Sequence, residues 1–531
     1  MASFKFHAST ALSYVLCLCL LCSPALAIKR AYVVYLGEHS HQDSDLYSAE
    51  LKQRVADSHH QFLASSLGSK QRAREAIYNS YHNHINGFAA VLEEEDAAKI
   101  ARHPDVLSVF LDQGRKKHTT NSWEFLNMNA EGFIRRDSLW KQANFGEDII
   151  IANLDTGVWP DSKSFSDEGY GPIPAKWRGT CDKTKISCNK KLIGARYFSK
   201  GYEEISGKLN ASVKTPVDHE GHGTHTLSTL GGNFVHGAKV FGFNAGTAKG
   251  GSPRARVASY KVCWPPVGKN GECFDSDILE AFDWAIHDQV DVLSLSIGGM
   301  PTAYFNDAAA IGAFHAVKKG IVVICSAGNE GPGEGTVTNV APWIITVGAT
   351  TTRDNFRRLI LSGPRKEATP FDYGGGHIQP NLAMDPGLVY DLNVDDYLNF
   401  LCGMGYNSTV MKTFSDGSYN CHHKYNLLNF NYPSITVGKL SADGTTTVLR
   451  TLKNVGTPGT YRARVLQPQG VSVSVLPSTL TFDKIGQEKS FELILEPKIT
   501  KESNNSVFGE LLWSDGKHNV RSPIVVSSIV A

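Results

Sequence analysis

The chain has 531 residues, of which 41% are hydrophobic and 20% are charged, a composition typical of a globular protein rather than a disordered or fibrous one. Lys and Arg number 53 and Asp and Glu number 52, so the formal charge is +1. This balance excludes the broad basic surface of a nucleic-acid-binding protein, and the length suggests about three or four domains.

The first residues have the features of a secretory signal peptide. Lys5 precedes an apolar run over residues 11–21, and a small-residue Ala-Leu-Ala cleavage site ends at Ala27. The run is shorter than the ~20 residues that span a bilayer, which disfavours the alternative of a membrane anchor. We therefore expect residues 1–27 to be removed and the protein to be secreted, extracellular or in the cell wall.

A small α+β unit is predicted next, with eight of the chain's 19 histidines between residues 28 and 118. Because histidine titrates near the pH of secretory compartments, these side chains are either an ordinary solvated surface or a pH-sensing element. Strands are predicted at 32–35, 88–92 and 106–110, and helices at 49–67 and 93–102.

Strands and helices alternate from about Asp148 onward, which indicates an α/β unit with a parallel sheet covered by helices on both faces. The helix at 275–288 is expected to be preceded by capping Asp and Ser residues. Strands are predicted at 149–154, 256–261, 290–295, 321–325 and 344–347, and helices from His222, at 275–288 and at 306–319.

From about Tyr432 the helical pattern stops and short strands with turn residues between them remain, such as 471–475 and 508–513. This pattern predicts an all-β sandwich of seven or eight strands.

Secretion favours disulfides, and proximity in the sequence suggests three pairs. They are Cys181 with Cys188, Cys263 with Cys273, and Cys402 with Cys421. The remaining Cys325 lies in an apolar run and is predicted to be a buried, inert thiol. Three glycosylation sequons are predicted to lie on the surface, at Asn210, Asn407 and Asn504.

Two motifs place ionisable side chains where an α/β sheet forms its sites. Asp155 ends a buried strand, and a carboxylate there can orient an imidazole. His219, His222 and His225 follow at intervals of three and invite a zinc site, but the H-E-x-x-H pattern fails because residue 223 is Gly. The alternative is one catalytic His whose neighbouring glycines let a helix begin close to another backbone, with no metal and no cofactor.

Asn329 follows the next candidate strand in Ser-Ala-Gly-Asn-Glu-Gly-Pro, where its amide can donate to a developing oxyanion. The order Asp, His, Asn is that of subtilisin, whereas chymotrypsin places His first and α/β-hydrolases place Ser first. On these motifs the chain resembles the subtilase family, specifically the secreted plant-type subtilisin-like serine proteases. Other stretches typical of that family are 118–126, 368–377 and 385–391.

The resemblance implies a division of the chain and a role for each motif. Asp155 would orient and stabilise a protonated His222, His222 would be the general base and then the general acid, and Asn329 would line the oxyanion hole. The substrate class implied is polypeptide, cut through a serine ester. The implied parts are an inhibitory propeptide (28–118), a subtilisin-like core starting at Thr119 (119–430) and a fibronectin-III-like domain (431–531).

The nucleophile of that family is missing from this sequence. No serine after Asn329 stands in a Gly-Thr-Ser context, and the landmark Ala368 comes only fourteen positions after the landmark Asp354, which indicates an internal deletion near 359–368. The serines considered and set aside are Ser362, Ser408, Ser415, Ser418 and Ser434.

Two hypotheses follow from the missing serine. The chain is either a shortened version of a secreted endopeptidase, inactive as written, or a non-catalytic pseudoprotease or propeptide-type inhibitor. Its partners are accordingly polypeptide substrates or a cognate protease core. In both cases the parallel sheet is expected to be incomplete, with apolar packing surface left exposed.

Overall fold

A computed structural model describes most of the chain, and its elements form three units. The predicted signal peptide (1–27) and the predicted junction at Thr119 lie outside the described residues. The described residues are 29–39, 49–112, 114–117, 123–129, 133–183, 185–240, 243–266, 272–331, 333–350, 368–406, 411, 419, 421, 425–441, 444–498 and 505–530.

The N-terminal unit is an antiparallel sheet with helices on one face, which confirms the predicted α+β class. Its elements are β1 (Lys29–Glu38), α1 (Ala49–Leu67), α2 (Lys70–Ala76), β2 (Ile77–Tyr81), β3 (Ile85–Glu93), α3 (Glu94–Ile100), β4 (Ser108–Leu111) and β5 (Gly114–Lys117). The order in the sheet is β2-β3-β1-β4. Side chains alternate along β1, so Val34 packs with Leu63 and Phe88 under the helices, whereas Val33 and Tyr35 join the core of the next unit.

A six-stranded parallel sheet forms the middle unit, in the order β15-β14-β12-β6-β10-β7. Helices α7 and α8 pack on one face, where Phe282 and Phe314 share a core with Leu154. Helix α6 packs on the other face through Leu227 and Val257. The elements are α4 (Leu139–Gln142), β6 (Ile150–Asp155), β7 (Leu192–Tyr197), α5 (Lys200–Ser206), α6 (His222–Gly231), β8 (Val235–Val240), β9 (Phe243–Ala248), β10 (Arg256–Lys261), β11 (Cys273–Phe274), α7 (Asp275–His287), β12 (Val292–Leu295), β13 (Ile297–Gly298), α8 (Ala308–Lys318), β14 (Val322–Ser326), β15 (Ile345–Val347) and α9 (Pro370–Tyr373).

The N-terminal unit caps the start of α7, which corrects the expectation that capping Asp and Ser residues precede this helix. The N-cap position is Phe274, whose side chain makes no capping bond. Instead Asp112 accepts a hydrogen bond from the Ser276 N–H at 3.1 Å and another from the Ser276 hydroxyl. A carboxylate from a distant unit thus satisfies a donor that the helix leaves open.

A second carboxylate at the same interface comes from the middle unit and accepts hydrogen bonds from the N-terminal unit. Asp283 of α7 accepts hydrogen bonds from the backbone N–H groups of Asn83, His84 and Ile85 at 3.1, 2.6 and 3.1 Å. Burial raises the pKa of Asp283 to about 7, while the three N–H donors favour its charged form. The interface therefore joins the two units by reciprocal carboxylate–backbone contacts.

The C-terminal unit is a β-sandwich, as predicted. Its sheets have the orders β16-β19-β23-β21 and β17-β25-β24-β20-β22. Eight of these strands lie after Tyr432, in agreement with the seven or eight predicted there, and β16 precedes them. Leu452, Leu493 and Trp513 lie in the core between the sheets, as does Leu388 from the segment before the sandwich. The elements are β16 (Leu388–Val389), β17 (Ile435–Val437), β18 (Leu440–Ser441), β19 (Thr446–Asn454), β20 (Gly459–Leu466), β21 (Val471–Leu476), β22 (Thr479–Phe482), β23 (Glu488–Pro497), β24 (Val507–Ser514), β25 (Asn519–Val526) and β26 (Ile529–Val530). Helix α10 (Val394–Gly403), which follows β16, packs instead on the core of the middle unit through Leu398 and Leu401.

Candidate active site

Asp155 and His222 meet at the carboxyl end of β6. Asp155 is buried, and its Oδ1 lies 2.7 Å from His222 Nδ1. The same carboxylate accepts hydrogen bonds from the Thr156 N–H at 2.7 Å and from the Thr226 hydroxyl at 3.0 Å. These donors hold the carboxylate in place, so it can orient the imidazole and stabilise its protonated form.

Two glycines allow α6 to begin this close to the end of β6. A Cβ on Gly223 would lie 2.4 Å from the carbonyl oxygen of Gly157, and a Cβ on Gly157 would lie 2.4 Å from that of Pro216. Gly157 also has a φ of +107°, which residues other than glycine rarely adopt. The prediction that glycines let the helix start against another backbone is confirmed.

Asp218 organises the turn before α6 and was missed in the sequence. Its Oδ1 accepts from the Thr156 hydroxyl at 3.0 Å and from the Gly221 N–H at 2.8 Å, and its Oδ2 accepts from the Thr224 N–H at 2.8 Å. The signal that could have found it is an Asp shortly before a helix start, where carboxylates commonly accept backbone N–H bonds.

The third predicted residue, Asn329, lies in the turn after β14 with its side chain exposed. Its N–H donates to Glu330 Oε2 at 2.9 Å, and it makes no hydrogen bond to Asp155 or His222 among the described residues. The structure therefore brings together the Asp and the His, and places the Asn at the same edge of the sheet without joining it to them.

One atom of the pair is left without a partner. His222 Nε2 is buried and has no hydrogen bond within the described part of the chain. A general base needs a hydroxyl or a water within hydrogen-bond reach of this nitrogen. The arrangement thus supplies an oriented base, and no described hydroxyl stands next to it.

A strand of the N-terminal unit, β5, lies between two short strands of the middle unit, β11 and β13. The backbone of β5 pairs antiparallel with β11 on one side, where residue 115 is opposite Cys273. On its other side it pairs with β13, where residue 117 is opposite Ile297. An extended peptide held between two edge strands is a common mode of peptide recognition. Residues 114–117 thus occupy the place that an extended peptide would take.

Comparison with protein families identifies the middle of the chain. Residues 146–452 match the model of the Subtilase family. The chain belongs to the subtilase family. Residues 31–118 match Peptidase inhibitor I9, and residues 429–526 match a Fibronectin type-III domain. By family this subtilase is a serine-type endopeptidase, made with an inhibitory propeptide and a fibronectin-type sandwich.

Relatives match the subtilase over nearly its whole length. Subtilisin-like protease SBT5.4 of Arabidopsis thaliana is 39% identical, over 99% of this chain and 98% of the relative. Subtilisin-like protease SBT5.3 of the same plant is 38% identical, over 93% and 96%. Among solved structures, fervidolysin from Fervidobacterium pennivorans is 14% identical, with a TM-score of 0.35 over 92% of this chain and 71% of that chain.

The alignment with SBT5.4 is much longer than the subtilase itself. It spans 769 residues, whereas this chain has 531, so at least 238 alignment positions hold no residue of this chain. Since the match covers 98% of the relative, these positions belong to residues that the relative has and this subtilase lacks.

The other predicted sites are distributed as follows. The structure contains the disulfides Cys181–Cys188, Cys263–Cys273 and Cys402–Cys421, and Cys325 is buried and takes part in none of them. Asn210 is exposed, and its side-chain oxygen accepts from the Ser212 N–H and hydroxyl at 3.0 and 3.1 Å. The other two sequons, Asn407 and Asn504, lie outside the described residues.

Neither a metal site nor a membrane span is found in the described part of the chain. No three His, Cys, Asp or Glu side chains there are grouped to hold a metal ion, His219 and His225 included. Within the same residues, none of the helices combines the length and the apolar character needed to cross a bilayer.

Proposed function

We propose that this chain is a secreted subtilase that does not hydrolyse peptide bonds, because it lacks the nucleophilic serine. The observation that carries the proposal is the unpartnered Nε2 of His222, together with a sequence that has no Gly-Thr-Ser after Asn329. The shortfall of at least 238 positions against SBT5.4 supports the same reading.

The chemistry of the family explains why the loss is decisive. The oriented His222 can only remove a proton from a group within its reach, and the acyl-enzyme needs a hydroxyl oxygen to carry the acyl group. In subtilisin, removal of the serine alone lowers kcat by about a factor of 10⁶. In this proposal Asp155 still orients His222, His222 is still positioned as a base, and Asn329 is still placed as a donor to an oxyanion. No nucleophile is present for His222 to activate.

The propeptide remains attached in this proposal. The proposed parts are a signal peptide (1–27), a propeptide (28–118), a core (119–430) and a fibronectin-type domain (431–531). Release of the propeptide would need a cut near Thr119, which an inactive core does not make. The contacts of Asp112 and Asp283 and the strand pairing of β5 favour the docked state.

Peptide hydrolysis by the purified, secreted chain tests the proposal. We expect no hydrolysis of a mixed peptide library under conditions in which SBT5.4, prepared in the same way, cleaves it. Hydrolysis that co-purifies with the chain and disappears in a His222→Ala variant would contradict the proposal.

Inhibition of another subtilase is a second candidate function. The observation in its favour is β5, whose extended backbone is paired with β11 on one side and with β13 on the other. Adding the purified chain to active SBT5.4 should lower its rate of peptide hydrolysis in a saturable way. An unchanged rate at a large molar excess of the chain would count against this function.

A further inference from the structure

Helices cover the two faces of the central sheet unequally. Toward α7 and α8, Leu295 of β12 and Cys325 of β14 are 2% and 1% exposed. On the opposite face Ile151, beneath α6, is 6% exposed, whereas Val322 is 43% exposed. The register pairs Ile151 with Val292 and Val292 with Val322, so one row of side chains runs from a covered to an uncovered part of the same face.

Four apolar side chains on the two outer strands form this uncovered area, which we call the bare face. They are Val322 and Ile324 of β14, and Ile345 and Val347 of β15. Ile324 and Ile345 are register partners, which places the four side by side. Ile345 is 54% exposed and Val347 is 39% exposed. Among the described residues the bare face is therefore uncharged and contiguous, with Val322, Ile345 and Val347 exposed and Ile324 half-buried.

The shape of the bare face fits one helix. Parallel sheets bury both faces under helices, because their strands are apolar on both sides. Two adjacent strands span about 10 Å, which is the width of one α-helix. Helix α6 packs on the neighbouring strands of the same face and would keep the sheet of a second copy of this chain from reaching the bare face. A second copy therefore fits less well than a helix.

The relatives indicate where such a helix comes from. At least 238 positions of the alignment with SBT5.4 hold no residue of this chain, which is ample for a covering helix. We propose that the bare face is a docking site for an amphipathic helix of a second polypeptide, whose apolar stripe packs on Val322, Ile324, Ile345 and Val347. This inference concerns binding alone and stands whether or not the chain hydrolyses peptides.

Overlapping peptides from SBT5.4 test the proposal. Fluorescent synthetic peptides of about 25 residues, long enough for a stable helix on docking, would tile the longest run of SBT5.4 that has no counterpart in this chain. Fluorescence polarisation with the full purified chain should show binding, with a Kd in the range of about 1–100 µM, for peptides with a helical apolar stripe.

A matched pair of variants locates the binding. Ile345→Lys places a charge on the bare face and should weaken binding about tenfold or more, whereas Ile485→Lys, at a residue 66% exposed in the C-terminal sandwich, should leave it unchanged. Val322→Lys is a second variant on the same face, and thermal melts check that all three variants fold.

Three outcomes would overturn the proposal. One is the absence of binding by any peptide at about 100 µM. Another is binding that Ile345→Lys and Val322→Lys leave unchanged, because the peptide would then bind elsewhere. The third is a dimer of the chain that Ile345→Lys dissociates, since a second copy would then occupy the face.

Discussion

Thr226 is the side chain that holds Asp155 to its helix. Its hydroxyl donates to Asp155 Oδ2 at 3.0 Å and lies 2.9 Å from Asn153 Nδ2, which donates to it. All three side chains are buried, and a buried polar group that loses its partner costs more than the bond itself contributed. The geometry of the Asp155–His222 pair therefore depends on a residue that takes no part in the chemistry.

Thr226→Val should lower the stability of the middle unit by about 1–2 kcal/mol, because it leaves Asp155 and Asn153 short of a partner. Thr229→Val is the matched control in the same helix, since the Thr229 hydroxyl bonds only the His225 carbonyl. Thermal melts of both variants measure the difference. Equal losses would show that helix propensity, and not the buried network, decides the effect.

His59 makes the propeptide sensitive to acid. Burial lowers its pKa from 6.5 to about 4, and its Nε2 bonds Asn86 Oδ1 at 3.0 Å. As the pH falls from 6.5 toward 4, His59 binds a proton in the unfolded chain but stays neutral in the folded unit. The contribution of His59 to the free energy of unfolding is therefore fully present above pH 6.5 and falls by up to about 1.4 kcal/mol per pH unit below it.

Replacement of this histidine should reduce that dependence. Pulse proteolysis measures the urea concentration at which half of the N-terminal unit is unfolded. Between about pH 7.5 and pH 5, this midpoint should fall less in His59→Gln than in the natural chain. Gln61→Asn, at an exposed position of the same helix, changes no titratable group and should keep the natural slope. A slope unchanged in His59→Gln would assign the acid sensitivity to other groups.

Helix α7 is the element on which the propeptide docks. Asp283 accepts three backbone N–H bonds from residues 83–85, so Asp283→Asn replaces one acceptor oxygen with a donor facing those groups. Amide exchange at residues 83–85 should become about tenfold faster or more, measured by hydrogen–deuterium exchange in the intact chain. Glu75→Gln is the control, because Glu75 is exposed and bonds only Gln71. Unchanged exchange in Asp283→Asn would contradict its anchoring role.

Sequence patterns predicted elements whose signals are local. The helix at 49–67 and the strand at 256–261 have the predicted bounds, because apolar periodicity and turn residues mark both. Strand β7 was missed, since its run Leu-Ile-Gly-Ala is short and contains a glycine. The Asp112–Ser276 cap could not be predicted, because the two residues lie 164 positions apart and meet only after folding.

For the whole molecule, the sequence shows that the Gly-Thr-Ser motif is missing, and the structure shows which apolar surface of the sheet is exposed. The absent Gly-Thr-Ser can be read directly from the residues after Asn329. The bare face cannot, because it depends on which side of the sheet Val322 and Ile345 share, and that follows from strand register. The folded result is a covered sheet on one side, a partly open one on the other, and a docked propeptide.

An uncleaved propeptide is the expectation at this scale. Intact mass and N-terminal sequencing of the secreted chain should find a start at Ile28 and no fragment that starts at Thr119, because the core proposed here is inactive and cannot make that cut. A chain that starts at Thr119 in a host free of other subtilases would contradict the account.

Labelling with a serine-directed fluorophosphonate tests the central claim most directly, because the probe reports an activated hydroxyl beside His222 and needs no knowledge of the substrate. The purified chain should remain unlabelled under conditions in which SBT5.4 is labelled to completion, and His222→Ala should make no difference. Labelling of the natural chain, traced by peptide mapping to one of its own serines and lost in His222→Ala, would contradict the claim that this subtilase has no nucleophile.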